Sequence, residues 1–193
     1  SGVRPYLGPA FENHTVRKIL KKYSNKLIYF KLEEDKLIKR TAELLASQKI
    51  VAWFQDRMEF GARALGNRSI LASPTDAKMR EKLNHVIKKR EGFRPFAPSV
   101  IQDKADMFFE INEPVPHMNQ VVKAKVNFLP AATHIDGTCR VQTVTQKQNK
   151  KYYKLLEEMG RITNIPVLLN TSFNLKDQTI TINPEQAIKR YLN

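Results

Sequence analysis

Apolar residues in this chain follow two spacings, and the switches between them mark its elements. From Glu33 to Ser47 they recur at Leu37, Ile38, Ala42, Leu44 and Leu45, the spacing of an amphipathic helix. Asp76 to Lys89 repeats the pattern with Met79, Leu83, Val86 and Ile87 on one face. Asn13, which can act as a cap, predicts a short helix to about Lys22. A helix is also expected from Asn149 to about Arg161, and a shorter one over Lys104 to Phe109. Asn183-Pro184-Glu185 reads as a helix start, with a cap, a proline at the first helical position and an acid in the first turn. Compact apolar runs at Leu27 to Phe30, Ile50 to Phe54, Ser69 to Ala72, Ala97 to Ile101 and Pro166 to Leu169 predict strands. Pro74 bars the Ser69 to Ala72 run from continuing as helix. Val121 to Val126 alternates with lysines like an edge strand, and Arg140 to Thr145 alternates too. Asn112 to Pro116 is a proline-punctuated loop. Two prolines keep residues 1–12 an extended arm ahead of a domain over 13–193. Interleaved helices and strands make this a mixed α/β domain.

Composition narrows the class. The 193 residues suit one domain, and 41% hydrophobic content with 27% charge can build a core. No apolar run approaches the ~20 residues of a membrane span. One cysteine, Cys139, excludes an intrachain disulfide framework and a multi-cysteine zinc site, so a reducing cytoplasm is the simplest home. The start Ser1-Gly2 looks like a cloning scar on a fragment of a longer chain. Asn13, Asn67 and Asn170 open Asn-x-Ser/Thr triplets that are then chance or structural matches, not glycan sites. Net charge is 33 − 19 = +14. Scattered lysine is ordinarily a solvated surface, and the alternatives are a nucleic-acid face or a site for a phosphate-rich small molecule.

Chemistry concentrates in three places. The stretch from Gln55 to Ser69 leaves one strand, carries Arg57, Arg63 and Arg68 with Gly61 and Gly66, and returns into another. Arginine forks hold phosphate or carboxylate oxygens in pairs, and glycines let a ligand approach backbone N–H groups; the alternative is surface charge paired partly by Asp56 and Glu59. The segment is no P-loop, because Asn67-Arg68-Ser69 inserts a residue, replaces the lysine and leads into a strand. No G-x-G-x-x-G is present. Around the Asp136-Gly137 turn, His134, Cys139 and Arg140 could make a thiol–imidazole pair, two metal ligands or an Asp136–Arg140 ion pair. A lone intracellular cysteine is more often a small buried hydrophobe. Asn170-Thr171-Ser172-Phe173-Asn174 ends an apolar strand, where ligands of α/β folds gather, although a capped turn gives the same pattern.

Taken in order, these blocks resemble a known family. Pro5-Tyr6-Leu7-Gly8-Pro9, Arg63-Ala64-Leu65-Gly66-Asn67-Arg68-Ser69-Ile70-Leu71, Phe93-Arg94-Pro95-Phe96-Ala97-Pro98-Ser99-Val100, His134-Ile135-Asp136-Gly137-Thr138 and Asn170 to Asn174 resemble the C-terminal domain of O-carbamoyltransferases. The resemblance implies a YrdC-like α/β sandwich around a twisted mixed sheet. It implies that carbamoyl phosphate and ATP become carbamoyl-adenylate and pyrophosphate. Mg2+ would accompany the nucleotide, with no metal site belonging to this stretch. A larger, metal-dependent N-terminal domain, the expected partner, would pass the carbamoyl group to a hydroxyl. On this resemblance Arg57, Arg63 and Arg140 are catalytic contacts to phosphate or carbamoyl phosphate. Asn170, Ser172 and Asn174 hold the nucleotide, and Arg68 and Arg94 are secondary phosphate contacts. Asp56 departs from the family pattern and puts a carboxylate beside Arg57, which is expected to weaken anion binding there. A basic RNA-binding module and an inactive structural partner are the competing readings; the clustering of arginines in loops and the lack of an RNA-recognition aromatic motif argue against nucleic acid.

Overall fold

The computed structural model describes residues 5–85, 96–175 and 178–192. Five strands form one mixed sheet: β1 (Val51–Phe54), β2 (Arg68–Ala72), β3 (Pro98–Ile101), β6 (Gln142–Val144) and β7 (Val167–Ser172). Their order is β1-β2-β7-β3-β6, antiparallel throughout except for the parallel β3–β6 pair. β4 (Val121–Lys123) and β5 (Thr138–Arg140) make a separate antiparallel ribbon.

Strand alternation divides the core into two layers. Leu71, Ile101, Val144 and Leu168 face one side, where they meet Ile38, Ala42 and Leu45 of α2 (Glu34–Ala46) and Leu155, Leu156 and Met159 of α4 (Lys150–Thr163). Ile70, Ala72, Val100, Val167 and Leu169 face the other. There they pack on Met79 and Leu83 of α3 (Met79–Leu83), on Phe108 and Phe109, and on Cys139 of the ribbon. Strand side chains on both faces are buried against cover, so every position of β2 and β3 is buried, polar Arg68, Ser69 and Ser99 included. The remaining helices are α1 (Asn13–Lys22) and α5 (Pro184–Leu192), joined by Lys22 Nζ and Tyr23 Oη on Glu185 Oε1 at 2.7 and 2.9 Å.

The structure departs from the sequence pattern in particular places. Leu27 to Phe30 is not a strand: Ile28 and Phe30 are 89% and 81% exposed, and no strand edge lies beside them among the described residues. A compact apolar run proposes a strand, but only a neighbour makes one. Asn13 opens α1 without capping it; Glu12 is the flanking residue and makes no side-chain cap bond. The helix expected at Lys104 is a 3-10 helix over Gln102–Met107. The run from Arg140 to Thr145 is split at buried Val141, so that β5 pairs with the ribbon and β6 with the sheet. Residues 86–89 of the expected helix at Asp76 lie outside the described residues, as do Phe93, Arg94 and Pro95.

Candidate functional site

Sheet register gathers the candidate segments at one end of the sheet. Phe54 pairs with Arg68, Ser69 with Ser172, and Ser99 with Gln142, so β1 and β7 finish where β2, β3 and β6 begin. The loop leaving β1 there is held by its own side chains. Buried Glu59 turns inward, and its Oε1 accepts from the backbone N–H groups of Leu65 at 2.7 Å, Asn67 at 2.7 Å and Arg68 at 3.2 Å. These are the converging N–H groups that the glycine-bearing loop was expected to offer a phosphate. Gly66, at φ 106, lies so close to the Tyr152 ring that a Cβ there would collide with it.

Arg68 is fully buried beneath this loop. Nη1 donates to the carbonyls of Gln55 at 2.6 Å and Asn67 at 3.0 Å, and Nη2 to those of Pro9 and Asp56, both at 3.1 Å. The guanidinium also lies 3.7 Å over the Phe54 ring. Burial pulls its pKa down to about 10, against the attraction of Glu59 and Asp56. Its terminal donors therefore serve the protein backbone, and the structure places Arg68 as a post that ties arm, loop and strand together.

The arm is laid along that loop. Gly8 N donates to Met58 O at 2.8 Å, Met58 N to Pro9 O at 3.0 Å and Phe60 N to Pro5 O at 2.6 Å. Tyr6 Oη donates to Leu65 O at 3.0 Å, and burial pushes its pKa up to about 12. The neutral phenol is thus favoured in the folded state. Its stabilisation is complete below pH ~10 and is lost as pH rises from about 10 to about 12. Tyr6→Phe is accordingly expected to flatten part of the alkaline loss of stability in denaturant titrations at pH 9 to 12; an unchanged slope would refute the assignment.

Beneath Tyr6 the polar side chains are locked together. Gln55 Nε2 and Asn67 Oδ1 engage the Asn149 amide at 3.0 and 2.8 Å, while Asn149 Oδ1 also accepts from Tyr152 N at 3.1 Å to cap α4. Gln142 Nε2 donates to Leu65 O at 3.0 Å, and its Oε1 accepts from Ser99 Oγ at 2.7 Å and Asn170 Nδ2 at 2.9 Å. Buried Asn170 keeps Oδ1 without a donor among the described residues. Ser172 Oγ donates to Asn174 Oδ1 at 2.5 Å, and Asn174 Nδ2 to Gln178 O at 2.7 Å.

Two clefts open on either side of Tyr6 and share Gln148. One, of about 410 Å³, is lined by Asp56, Arg57, Asn67, Asn149, Lys150 and Lys151. The other, of about 560 Å³, is lined by His117, Gln142, Thr143, Thr145 and Lys147. Of the predicted residues, Arg57 lines the first cleft, its Nη2 donating to Leu7 O at 3.0 Å. Arg63 is exposed and Arg140 half-buried on β5, and neither lines these clefts; nor do Asn170, Ser172 and Asn174. Lys150, Lys151, Glu59 and the Asn67–Asn149 pair were missed. Asn149 showed only as a helix start, and Glu59 only as a charge partner for arginine.

The Asp136 turn carries no such cluster. Asp136 Oδ1 accepts from Thr138 N at 3.0 Å and Thr138 Oγ1 at 2.7 Å, not from Arg140, and these bonds hold its pKa below the ordinary value. Cys139 is buried, and burial pushes its thiol up to about 11. Among the described residues no three His, Cys, Asp or Glu side chains come together as a metal site. If the chain binds ATP as the family resemblance implies, Cys139→Ser should leave that binding within a few-fold of the parent while costing about 1 kcal/mol of stability. Loss of binding in a folded variant, followed by calorimetry and thermal melts, would restore a role for the thiol.

A strand-end site on a mixed α/β sandwich defines the class. Over 88% of its length the chain superposes on the crystal structure of full-length HypF in the phosphate- and nucleotide-bound form, with a TM-score of 0.59 and 19% identity, covering 25% of that chain. Residues 42–193 match the family described as Carbamoyltransferase C-terminus, and the chain belongs to that family. Nodulation protein NolO of Bradyrhizobium diazoefficiens is 44% identical over 164 residues, 82% of this chain and 30% of its own. An uncharacterized protein of Methanocaldococcus jannaschii is 43% identical over 194 residues, 98% of this chain and 32% of its own. The chain therefore spans about a third of the length of these curated relatives. No helix among the described residues is long and apolar enough to cross a membrane.

Proposed function

We propose that this domain activates the carbamoyl group of carbamoyl phosphate with ATP. Carbamate, freed by water as inorganic phosphate leaves, would attack the α-phosphorus of ATP; the bond to the β-phosphate breaks, giving carbamoyl-adenylate and pyrophosphate. A separate transfer domain, the expected N-terminal partner, would then deliver the carbamoyl group to a hydroxyl. Both substrates are polyanions, so fixed charge and aimed hydrogen bonds do most of the work. The observation that carries this reading, beside family membership, is the cationic cleft walled by Arg57, Lys150 and Lys151 above a fixed amide network.

In this reading Arg57 holds the reacting phosphates from the cleft wall, and Arg63 and Arg140, which line neither cleft, are the further phosphate contacts that the family resemblance implies. By the same resemblance Asn170, Ser172 and Asn174, which also lie outside the two clefts, would orient the nucleotide; buried Asn170 keeps an acceptor, Oδ1, without a donor among the described residues. Mg2+ arrives on the nucleotide phosphates. Because Asn170→Ala and Ser172→Ala change no charge, each should weaken ATP binding by about 1–3 kcal/mol and leave RNA affinity untouched. Calorimetry with ATP, with and without carbamoyl phosphate, checks the first. RNA binding across a salt series checks the second, since phosphate-driven RNA affinity falls steeply with salt. RNA binding without ATP binding would replace the enzyme reading with an RNA module.

A further inference from the structure

Asp56 stands at the mouth of the cationic cleft in a conformation that a non-glycine residue adopts at a cost. Its φ is 43, in the left-handed region. Two contacts fix its carboxylate. Oδ2 accepts from Gln55 Nε2 at 2.9 Å, and Oδ1 faces Lys151 Nζ at 3.4 Å. Gln55 is itself fixed by Trp53 Nε1 and Asn149, so the carboxylate is anchored to the same amide network that floors the cleft. The other carboxylate lining the cleft, Glu34, is engaged by Lys154 at 2.9 Å. Asp56 is thus the chain's own anion set among Arg57, Lys150 and Lys151.

We propose that Asp56 is a built-in competitor for the polyphosphate of the nucleotide: an incoming phosphate chain displaces its carboxylate from Lys151, and the carboxylate returns as pyrophosphate leaves. The inference rests on the reading that nucleotide phosphates occupy this cleft. Entry of the ligand breaks one ion pair and brings like charges together, which lowers affinity and speeds release. The Asp56 side chain is 57% exposed, so solvent screens the effect and holds it to about ten-fold in affinity.

The test is calorimetric titration of the whole chain with inorganic tripolyphosphate and with ATP at low salt. Asp56→Asn should bind tripolyphosphate about ten-fold more tightly than the parent, because the amide neither repels phosphate nor neutralises Lys151. Asp56→Gly should show the same gain with a raised melting temperature, separating charge from backbone strain. In the Lys151→Ala background the gain from Asp56→Asn should shrink severalfold. Equal or weaker binding by folded Asp56→Asn would overturn the proposal. If ATP still binds in that case, the enzyme reading stands without it. Tighter tripolyphosphate binding without any carbamoyl-phosphate-dependent turnover would keep the competitor and remove the enzyme reading. No binding by any variant would remove both.

Discussion

Replacing Glu59 by alanine is expected to cost about 3–5 kcal/mol, because three buried N–H groups lose their partner together and the buried Arg68 cation loses the attraction of a nearby carboxylate. The N–H groups of Leu65, Asn67 and Arg68 all converge on one carboxylate oxygen, and the Arg68 guanidinium nearby is fully buried. For a domain of this size the loss corresponds to a fall in Tm of about 6–20 °C. Glu59→Gln keeps an acceptor of similar shape and loses only the charge, so its fall should be about half as large. Thermal melts decide the matter, and amide exchange at Leu65 and Asn67 locates it: both should become fast in the alanine variant. A Tm within about 2 °C of the parent would mean that the loop is held by other contacts. The loop that carries Arg57 and Arg63 would loosen with it, so activity should fall together with stability.

Sequence alone made the scaffold legible where local chemistry and burial agree. α4 is an example: Asn149 caps it, and Tyr152, Leu155, Leu156 and Met159 bury one face. The start of α5 is another, since Asn183 Oδ1 accepts from Gln186 N at 2.9 Å as its cap pattern implies. Leu27 to Phe30 failed because pairing is not a local property, and the break at Val141 failed because two sheets compete for one alternating run. The chemistry divides the same way. The arginine-rich, glycine-punctuated connection lies at the end of the sheet where Arg57 lines a cleft. Nothing in the local sequence separates Arg57 from Arg68, however. What distinguishes them is burial: both touch the arm, through Leu7 O and Pro9 O, but Arg68 is fully buried and spends its donors on four backbone carbonyls, whereas Arg57 is exposed. Glu59 was read as a surface partner for arginine because its backbone donors converge only after the loop has closed.

The largest functional losses are expected at the exposed arginines rather than the buried one. Arg57→Ala and Arg63→Ala should each lower carbamoyl-phosphate-dependent ATP–pyrophosphate exchange by about ten- to thousand-fold, as a charge-assisted contact to the reacting phosphates is lost. Both guanidinium groups reach solvent, so stability should change by no more than about 0.5 kcal/mol. Arg17→Ala, exposed on α1, removes the same charge at a residue that lines neither cleft and serves as the control. Equal losses in all three variants would mean that net charge, not a site, is being measured.

The most direct measurement is the exchange itself in the parent chain: label passing from pyrophosphate into ATP, with and without carbamoyl phosphate. The account predicts incorporation that requires carbamoyl phosphate and collapses in Arg57→Ala and Arg63→Ala but not in Arg17→Ala. Absence of exchange from a folded domain, or exchange indifferent to carbamoyl phosphate, would contradict it.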